Sequence, residues 1–133
     1  MGHPQALTIE PAQDRAAALQ RLERAALREV TGAASVADLA RGCALFDVLQ
    51  AGAVVGSFAA RVDEYSTGRE ITVTAAAATG GEGVTEALAA WCEQEARERI
   101  GARVVTCQTS RRGLVRRLQR AGYRVAYVLS KEI

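Results

Sequence analysis

Two stretches of the chain hold residue types whose spacing can do chemistry. The first is Gly80-Gly81-Glu82-Gly83, which comes after a strand-like run and precedes a helix-like one. The first amides of a helix lack intrahelical partners and point outward, and the helix dipole adds partial positive charge there. Glycines let the backbone approach a ligand with no Cβ in the way. Together these make a site for phosphate or pyrophosphate, built here from Gly80, Gly81, Gly83 and the amides of Val84 and Thr85. The competing reading is an ordinary tight turn, since the run is neither a Walker A motif nor a full dinucleotide fingerprint. Glu82 would repel a bound anion, and an acid at a helix start is favourable without one.

The second stretch is a run of arginines. Arg111, Arg112, Arg116, Arg117, Arg120 and Arg124 fall within fourteen residues, and no acid lies among them. Arg112, Arg116 and Arg120 recur at four-residue spacing, so a helix puts them on one face. Like charges at that spacing cost a few tenths of a kcal/mol per pair, roughly. Either the face is solvated or paired with Glu86, Glu93, Glu95 and Glu98 of the preceding helix, or it meets nucleic acid or an acidic protein. Aromatics for base stacking are not interleaved, which argues against single-strand binding. The net charge of +2, from 17 basic and 15 acidic residues, does not mark a strongly basic nucleic-acid binder.

Other chemistry is less favoured. Cys43, Cys92 and Cys107 are widely spaced, no Cys-x-x-Cys pair exists, and His3 is the sole histidine. A structural zinc site needs four closing ligands, so no metal is expected. Free thiols in a reducing compartment are the reading. Met1 to Glu10 lacks a basic region leading into an apolar run, and no apolar stretch approaches the roughly 20 residues of a spanning helix. A cytoplasmic location without membrane contact is expected.

The positioning elements can be read from periodicity. Ala6 to Glu10 is an extended candidate stopped by Pro11. Gln13 to Val30 reads as a helix ended by Thr31-Gly32, with Leu19, Leu22, Ala26 and Val30 at helical spacing. Ser35 can cap a short helix to about Arg41. Ala44 to Gln50, the Ala51-Gly52 turn and Ala53 to Val62 read as a hairpin. Glu70 to Ala78 is a strand with Ile71, Val73 and Ala75 on one side. Val84 to Ile100 is a helix with Val84, Leu88, Trp91 and Ala96 near one face, closed by Gly101. Arg103 to Gln108 is a strand. Arg111 to Ala121 is a helix with Leu114, Leu118 and Ala121 inward, ended by Gly122, and Arg124 to Ser130 is a last strand. The 133 residues read as one domain. Apolar residues make up 49% and aromatic residues 5%, so alanine-rich, closely approaching backbones are expected rather than a core of large rings.

This order of elements resembles the GNAT superfamily of acyl-coenzyme A-dependent N-acyltransferases over nearly the whole chain, most specifically from Glu70 to Tyr123. With Leu88 fixing the register, Gly83 matches the central glycine of the family's cofactor motif, Gly81 a glycine often found two before it, and Val84 the usual aliphatic residue. Gly80 stands where the family has Gln or Arg, and Thr85 where it has Gly or Ala. The resemblance implies that these amides hold the pyrophosphate of acetyl-CoA, that Ala75 to Ala78, through residues such as Ala75 and Ala77, run along the pantetheine arm, and that Arg111 lies near the cofactor's phosphates. Ala121-Gly122-Tyr123 resembles the family's closing Gly-aromatic pair. Leu118 stands where many members have the tyrosine that protonates the departing thiolate, and leucine cannot donate a proton.

The resemblance also implies a base among Glu70, Asp63 and Glu64, and an acid among Tyr65, Tyr123 and Tyr127 if one faces the cleft. The fold implied is α/β with a mixed sheet of about six strands and four helices, antiparallel in its first half and with a parallel central pair. Members usually end with two strands after the last helix, so this sheet is expected to be one strand short or completed by a neighbouring subunit in a homodimer. The resemblance leaves two functions: acetyl transfer to an amine of a small molecule or protein, or a non-catalytic GNAT-like binding or assembly module using the Arg111–Arg124 helix. In its shortness and arginine-rich helix the chain also looks like reduced GNAT-like proteins of phages and prophages.

Overall fold

The computed structural model describes residues 6–26, 34–78, 83–109 and 111–133. The elements run β1 (Leu7–Pro11), α1 (Arg15–Ala26), α2 (Val36–Ala40), β2 (Ala44–Gln50), β3 (Ala53–Tyr65), β4 (Gly68–Ala78), α3 (Val84–Glu95), continued by a π-helical turn over Ala96–Ile100, then β5 (Ala102–Cys107) and α4 (Arg112–Arg120). They form one mixed sheet in sequence order. β1 to β4 pair antiparallel, and β5 joins β4 in parallel. No helix among the described residues is long and apolar enough to cross a membrane.

Local chemistry explains the boundaries. Ser35 caps α2 as a reciprocal box: its Oγ accepts from the Asp38 N–H at 3.2 Å, and Asp38 Oδ2 accepts from the Ser35 N–H at 2.9 Å. These bonds, with Arg41 nearby, hold the Asp38 carboxyl below its ordinary pKa. The helix expected over Gln13 to Val30 is described to Ala26, and its Thr31-Gly32 stop lies outside the described residues.

The core lies on both faces of the sheet. Under α3, Val48, Phe58, Ala60, Ile71, Val73, Val84, Cys92 and Ala96 are buried together, with Leu88 and Trp91 packed on them. Phe58 stacks on Phe46 at 5.0 Å and meets the Trp91 ring edge-on at 5.6 Å. Under α1 and α2, Ala18, Leu22, Ala40, Leu45, Ala59 and Ala75 form the second cluster. The layer under α1 and α2 is built mostly of alanines, whereas in the α3 layer, against the expectation of a core without large rings, Phe46, Phe58 and Trp91 meet.

Three expectations are corrected. Ala75 does not share a face with Ile71 and Val73. The register steps from Ala60↔Val73 to Ala59↔Ala75, so Thr74 is an extra residue in β4 and the bulge turns Ala75 to the α1 side. Arg124 to Ser130 is not a strand: the segment has no ladder partner among the described residues, and the sheet has five strands rather than about six. Ala121, expected inward, is exposed at the end of α4.

Candidate functional site

The β4–β5 ladder ends at Val73↔Cys107, while β4 continues to Ala78 against β3 alone. The bulge at Thr74 sits where the two strands part. Past it, Ala75 to Ala78 present backbone groups along one side with no strand opposite among the described residues. The side chains there are single methyl groups, so a ligand can reach the backbone. Gly56 of β3 keeps this region tight: a Cβ on it would stand 3.0 Å from the Ala77 carbonyl oxygen and 3.2 Å from Val84 Cγ1.

A cavity of about 570 Å³ opens in this fork, within the range of small-molecule and cofactor sites. One wall is Thr74 to Ala78. A second is the first turns of α3, with Val84, Thr85, Leu88 and Ala89. A third is the end of β5 with the residues just beyond it, namely Val105, Cys107, Gln108, Thr109 and Arg111. Leu114, Leu118 and Tyr123 close the α4 side, and Leu39, Val48 and Ser57 lie at the inner end.

Two helix starts converge here. α3 begins at Gly83, whose φ of 78° is the left-handed conformation that glycine adopts freely, and no side chain caps it. Ala87 N–H donates to the Gly83 carbonyl at 2.9 Å, which starts the helical ladder. The preceding amides, those of Val84 and Thr85 among them, have no intrahelical acceptor. α4 likewise starts without a side-chain cap at Arg111, whose own N–H donates to Thr109 Oγ1 at 3.1 Å. Arg111 is the one formally charged residue in the cavity wall among the described residues. Two uncapped helix starts and a guanidinium make this end of the cavity electropositive.

The other ionisable wall groups are neutral at ordinary pH. Burial pushes the Cys107 thiol up, and burial, then Cys107, Glu93 and Glu95, push the neighbouring Cys92 thiol up to about 12. Such thiols are poor nucleophiles. The Tyr123 phenol is pushed up to about 12, first by burial and then by Glu93 and the two thiols.

The structure thus brings Ala75, Ala77, Val84, Thr85, Arg111 and Tyr123 to one cavity, with Gly83 immediately before Val84. Gly80, Gly81 and Glu82 lie outside the described residues. Glu70 is not in the cavity wall. It stands near the start of β4, where its Oε1 accepts from Thr72 Oγ1 at 3.0 Å and Thr106 Oγ1 at 2.9 Å. Asp63 is tied to Arg61 and Thr72, and Glu64 to Arg69. Tyr65 and Tyr127 are exposed and away from the cavity.

Sequence reasoning missed Thr74, whose bulge opens the fork and whose hydroxyl donates to the Leu39 carbonyl of α2. Nothing in Thr72-Val73-Thr74-Ala75 signals a bulge. It also missed a buried polar set at the inner end. Ser57 Oγ donates to Asp47 Oδ1 at 2.8 Å, and Arg21 Nη1 donates to both, at 3.0 and 3.2 Å. Asp47 is 8% exposed and Ser57 2%. Their positions opposite each other on inward strand faces were the available signal. The arginines of α4 find no acids among the described residues: Glu93 and Glu95 pair instead with Arg97 and Arg99, one turn along their own helix.

No family model matches the sequence, and no curated protein matches it. Solved structures do. A putative acetyl transferase from Pyrococcus furiosus is similar at a TM-score of 0.71 and 17% identity, covering 96% of this chain and 100% of its own. An aminoglycoside acetyltransferase from an uncultured soil metagenomic sample is similar at 0.67 and 19%, with 96% and 97% covered. An aminoglycoside N-acetyltransferase in complex with CoA is similar at 0.59 and 14%, with 100% and 98% covered. Full-length superposition at such low identity is evidence of architecture, and the chain has the fold of the GNAT acetyltransferases.

Proposed function

We propose that the chain binds acetyl-CoA in the β4–β5 fork and transfers the acetyl group to an amine of a small molecule or protein. The observation that carries this reading is the one-sided strand Ala75–Ala78 opening into a cavity beside two uncapped helix starts. An amide-bearing arm can hydrogen-bond to the free side of that strand, and a pyrophosphate suits the start of α3. Two similar structures are acetyltransferases acting, by name, on aminoglycosides, and one of these holds CoA. Both favour an amine acceptor and this cofactor.

In the transfer, the amine nitrogen attacks the thioester carbonyl carbon, the C–S bond breaks, and the sulfur leaves as thiolate. A free N–H of the strand past Thr74 can stabilise the oxyanion, and holding both partners in the fork supplies positioning. Tyr123 is the cavity's phenol. At a pKa of about 12 it stays protonated, yet it is a weaker acid than an ordinary thiol of pKa about 8.5. Its role is to donate a hydrogen bond to the leaving sulfur, while the proton that neutralises the thiolate comes from the attacking nitrogen.

Titration calorimetry with acetyl-CoA tests the site. Gly83→Asp would strain the left-handed backbone at that position, so Thr85→Asp is the cleaner variant. An acid in the first turn of α3 favours the helix and repels a phosphate. Micromolar binding by the parent chain, lost or strongly weakened in Thr85→Asp, supports the reading. No heat with millimolar ligand overturns it.

One observation favours a second reading, a non-catalytic binding module. Leu118, not a tyrosine, faces the cavity from α4. Acetyl-CoA binding with no thiol release across a panel of amines would select that reading over transfer.

A further inference from the structure

The cavity reaches both faces of the sheet. Val73, Val84 and Leu88 of its wall belong to the layer under α3, while Leu39, Ala75 and Ala77 belong to the layer under α1 and α2. The start of α3 lies on the first face, so a cofactor whose phosphates sit there fills the fork from that side. The second reactant must then come from the other face, because the reacting atoms have to meet within about 3–3.5 Å.

Two hydroxyls stand on that other face of the wall, and each has its hydrogen engaged. Thr74 donates to the Leu39 carbonyl and is met by Cys43 Sγ at 3.5 Å. Ser57 is the cross-strand partner of both Asp47 in β2 and Ala77 in β4, so the three side chains form a row on one face. Its Oγ donates to Asp47 Oδ1 at 2.8 Å and accepts from Arg21 Nη1 at 3.0 Å. A hydroxyl oxygen has two acceptor positions, so one lone pair of Ser57 is left over, on a residue of the cavity wall. Arg21 Nη1 also donates to Asp47 Oδ1, which closes the three groups into a ring and keeps the hydroxyl from turning its hydrogen to the cavity. A serine held this way offers an acceptor and no donor. That complements an amine N–H and is a poor match for a carbonyl or a carboxylate.

We propose that Ser57 receives the acceptor amine: its oxygen accepts one N–H of the amine and leaves the nitrogen lone pair free to face the thioester carbon. The assignment rests on the transfer reading above. Asp47 and Arg21 are positioning residues, which act by fixing the Ser57 hydroxyl. No proton is lost to the serine; the proton of the attacking nitrogen still passes to the sulfur.

The test is release of CoA from acetyl-CoA by the full chain, followed by chromatography, with hydroxylamine, benzylamine, spermidine and kanamycin as acceptors. Calorimetry with acetyl-CoA alone accompanies it. Ser57→Ala removes the acceptor while Arg21 and Asp47 keep their own contact, so the fold should hold. It should lower kcat/KM for the amine about tenfold, as loss of one hydrogen bond to substrate would, and leave acetyl-CoA affinity within about twofold of the parent. Ser57→Cys fills the same space with a weak acceptor, so it should not restore the rate, whereas a packing role would be restored. Asp47→Asn should lower kcat/KM in the parent and cost nothing further in Ser57→Ala, because a residue acting through another is not additive with it. Three results overturn the assignment alone: transfer that Ser57→Ala leaves unchanged, transfer that Ser57→Cys keeps in full, or acetyl-CoA binding that Ser57→Ala abolishes. Equal losses for Asp47→Asn in both backgrounds remove Asp47 as a positioning residue. Binding of acetyl-CoA by the parent with no release to any of the four amines overturns the transfer reading itself, and the assignment with it.

Discussion

β4 into α3 and β5 into α4 are the same kind of unit, a parallel strand feeding a helix whose start faces the cavity, and the sequence fills them in opposite ways. α3 buries Val84, Ala89 and Cys92, and its Glu93 and Glu95 find basic partners one turn along. α4 buries no residue and aligns Arg112, Arg116 and Arg120 without an acid. Both helices are needed to wall the cavity, but only the first is held by the core. Packing in this layer is therefore carried by α3 with the sheet, to which β5 adds Ala102, Val105 and Cys107, while α4 covers the cavity with residues that are at most half-buried.

The largest expected effect tests that division through stability. Phe58→Ala removes a fully buried ring between Phe46 and Trp91 beneath α3. It should cost about 3–5 kcal/mol, the range for a large-to-small change in a packed core. Leu118→Ala in α4 removes a half-buried side chain and should cost about 1 kcal/mol, half or less of a full burial. Urea denaturation of the two variants measures both. Equal losses would mean that α4 is as much a part of the core as α3.

The same contrast explains what the sequence could show. α3 was legible because a buried helix needs apolar residues at fixed spacing, and Val84, Leu88, Trp91 and Ala96 supply them. The hairpin, the Ser35 cap and Val84 and Thr85 at the α3 start were legible for similar local reasons, whereas Ala75, Ala77 and Arg111, which also line the cavity, were expected only from the family resemblance. The bulge at Thr74 was not, because register is decided by two strands together and no single residue marks it. That one insertion also defeated the prediction that Ala75 shares a face with Val73. Arg124 to Ser130 has the composition of a strand, but composition does not say whether a neighbouring edge is present to pair with it. Glu70 has a base's side chain, but its distance from the cavity depends on where β4 and β5 part.

Ligand binding sharpens the contrast next. If the start of α3 holds the pyrophosphate, Thr85→Asp should weaken acetyl-CoA by about tenfold or more, equivalent to about 1.4 kcal/mol. Arg111→Ala, which removes an exposed charge at the start of α4, should cost less, about twofold to fivefold, and less again at high salt. Calorimetry on both gives the ratio. A larger loss in Arg111→Ala would move the phosphate site from α3 to α4.

Charge reversal within α4 comes third. Arg116 lies one turn from both Arg112 and Arg120. Arg116→Glu converts two repulsive pairs into two attractive ones, each pair worth about 0.2–0.5 kcal/mol. The variant should be more stable than the parent chain by about 1 kcal/mol at low salt, and the gain should shrink as salt rises. Reversing Glu93 on α3 should do the opposite, because it breaks the contact with Arg97. Thermal melts at two ionic strengths check both signs. A stabilising Arg116→Glu would show that the arginine face is kept at a cost to the protomer, as a surface used in association would be.

The smallest expected effect concerns Tyr123, where the two units meet. Its phenol is raised from an ordinary 10.0 to about 12 in the folded chain, so the folded state holds its proton over a range where the unfolded state has released it. Stability from this group is fully present below the unfolded value and is lost as pH rises through that window. Cys92 is raised from 9.0 to about 12 and lowers stability over an overlapping range, so the parent chain alone does not isolate the tyrosine. The difference between parent and Tyr123→Phe does, since phenylalanine keeps the ring and has no proton to lose. The parent should lose stability more steeply than Tyr123→Phe between about pH 10 and 12 in urea denaturation. Because the residue is only half-buried, solvent screening keeps the difference small. Parallel curves would mean that the phenol reaches water, and would remove Tyr123 as a hydrogen-bond donor inside the cavity.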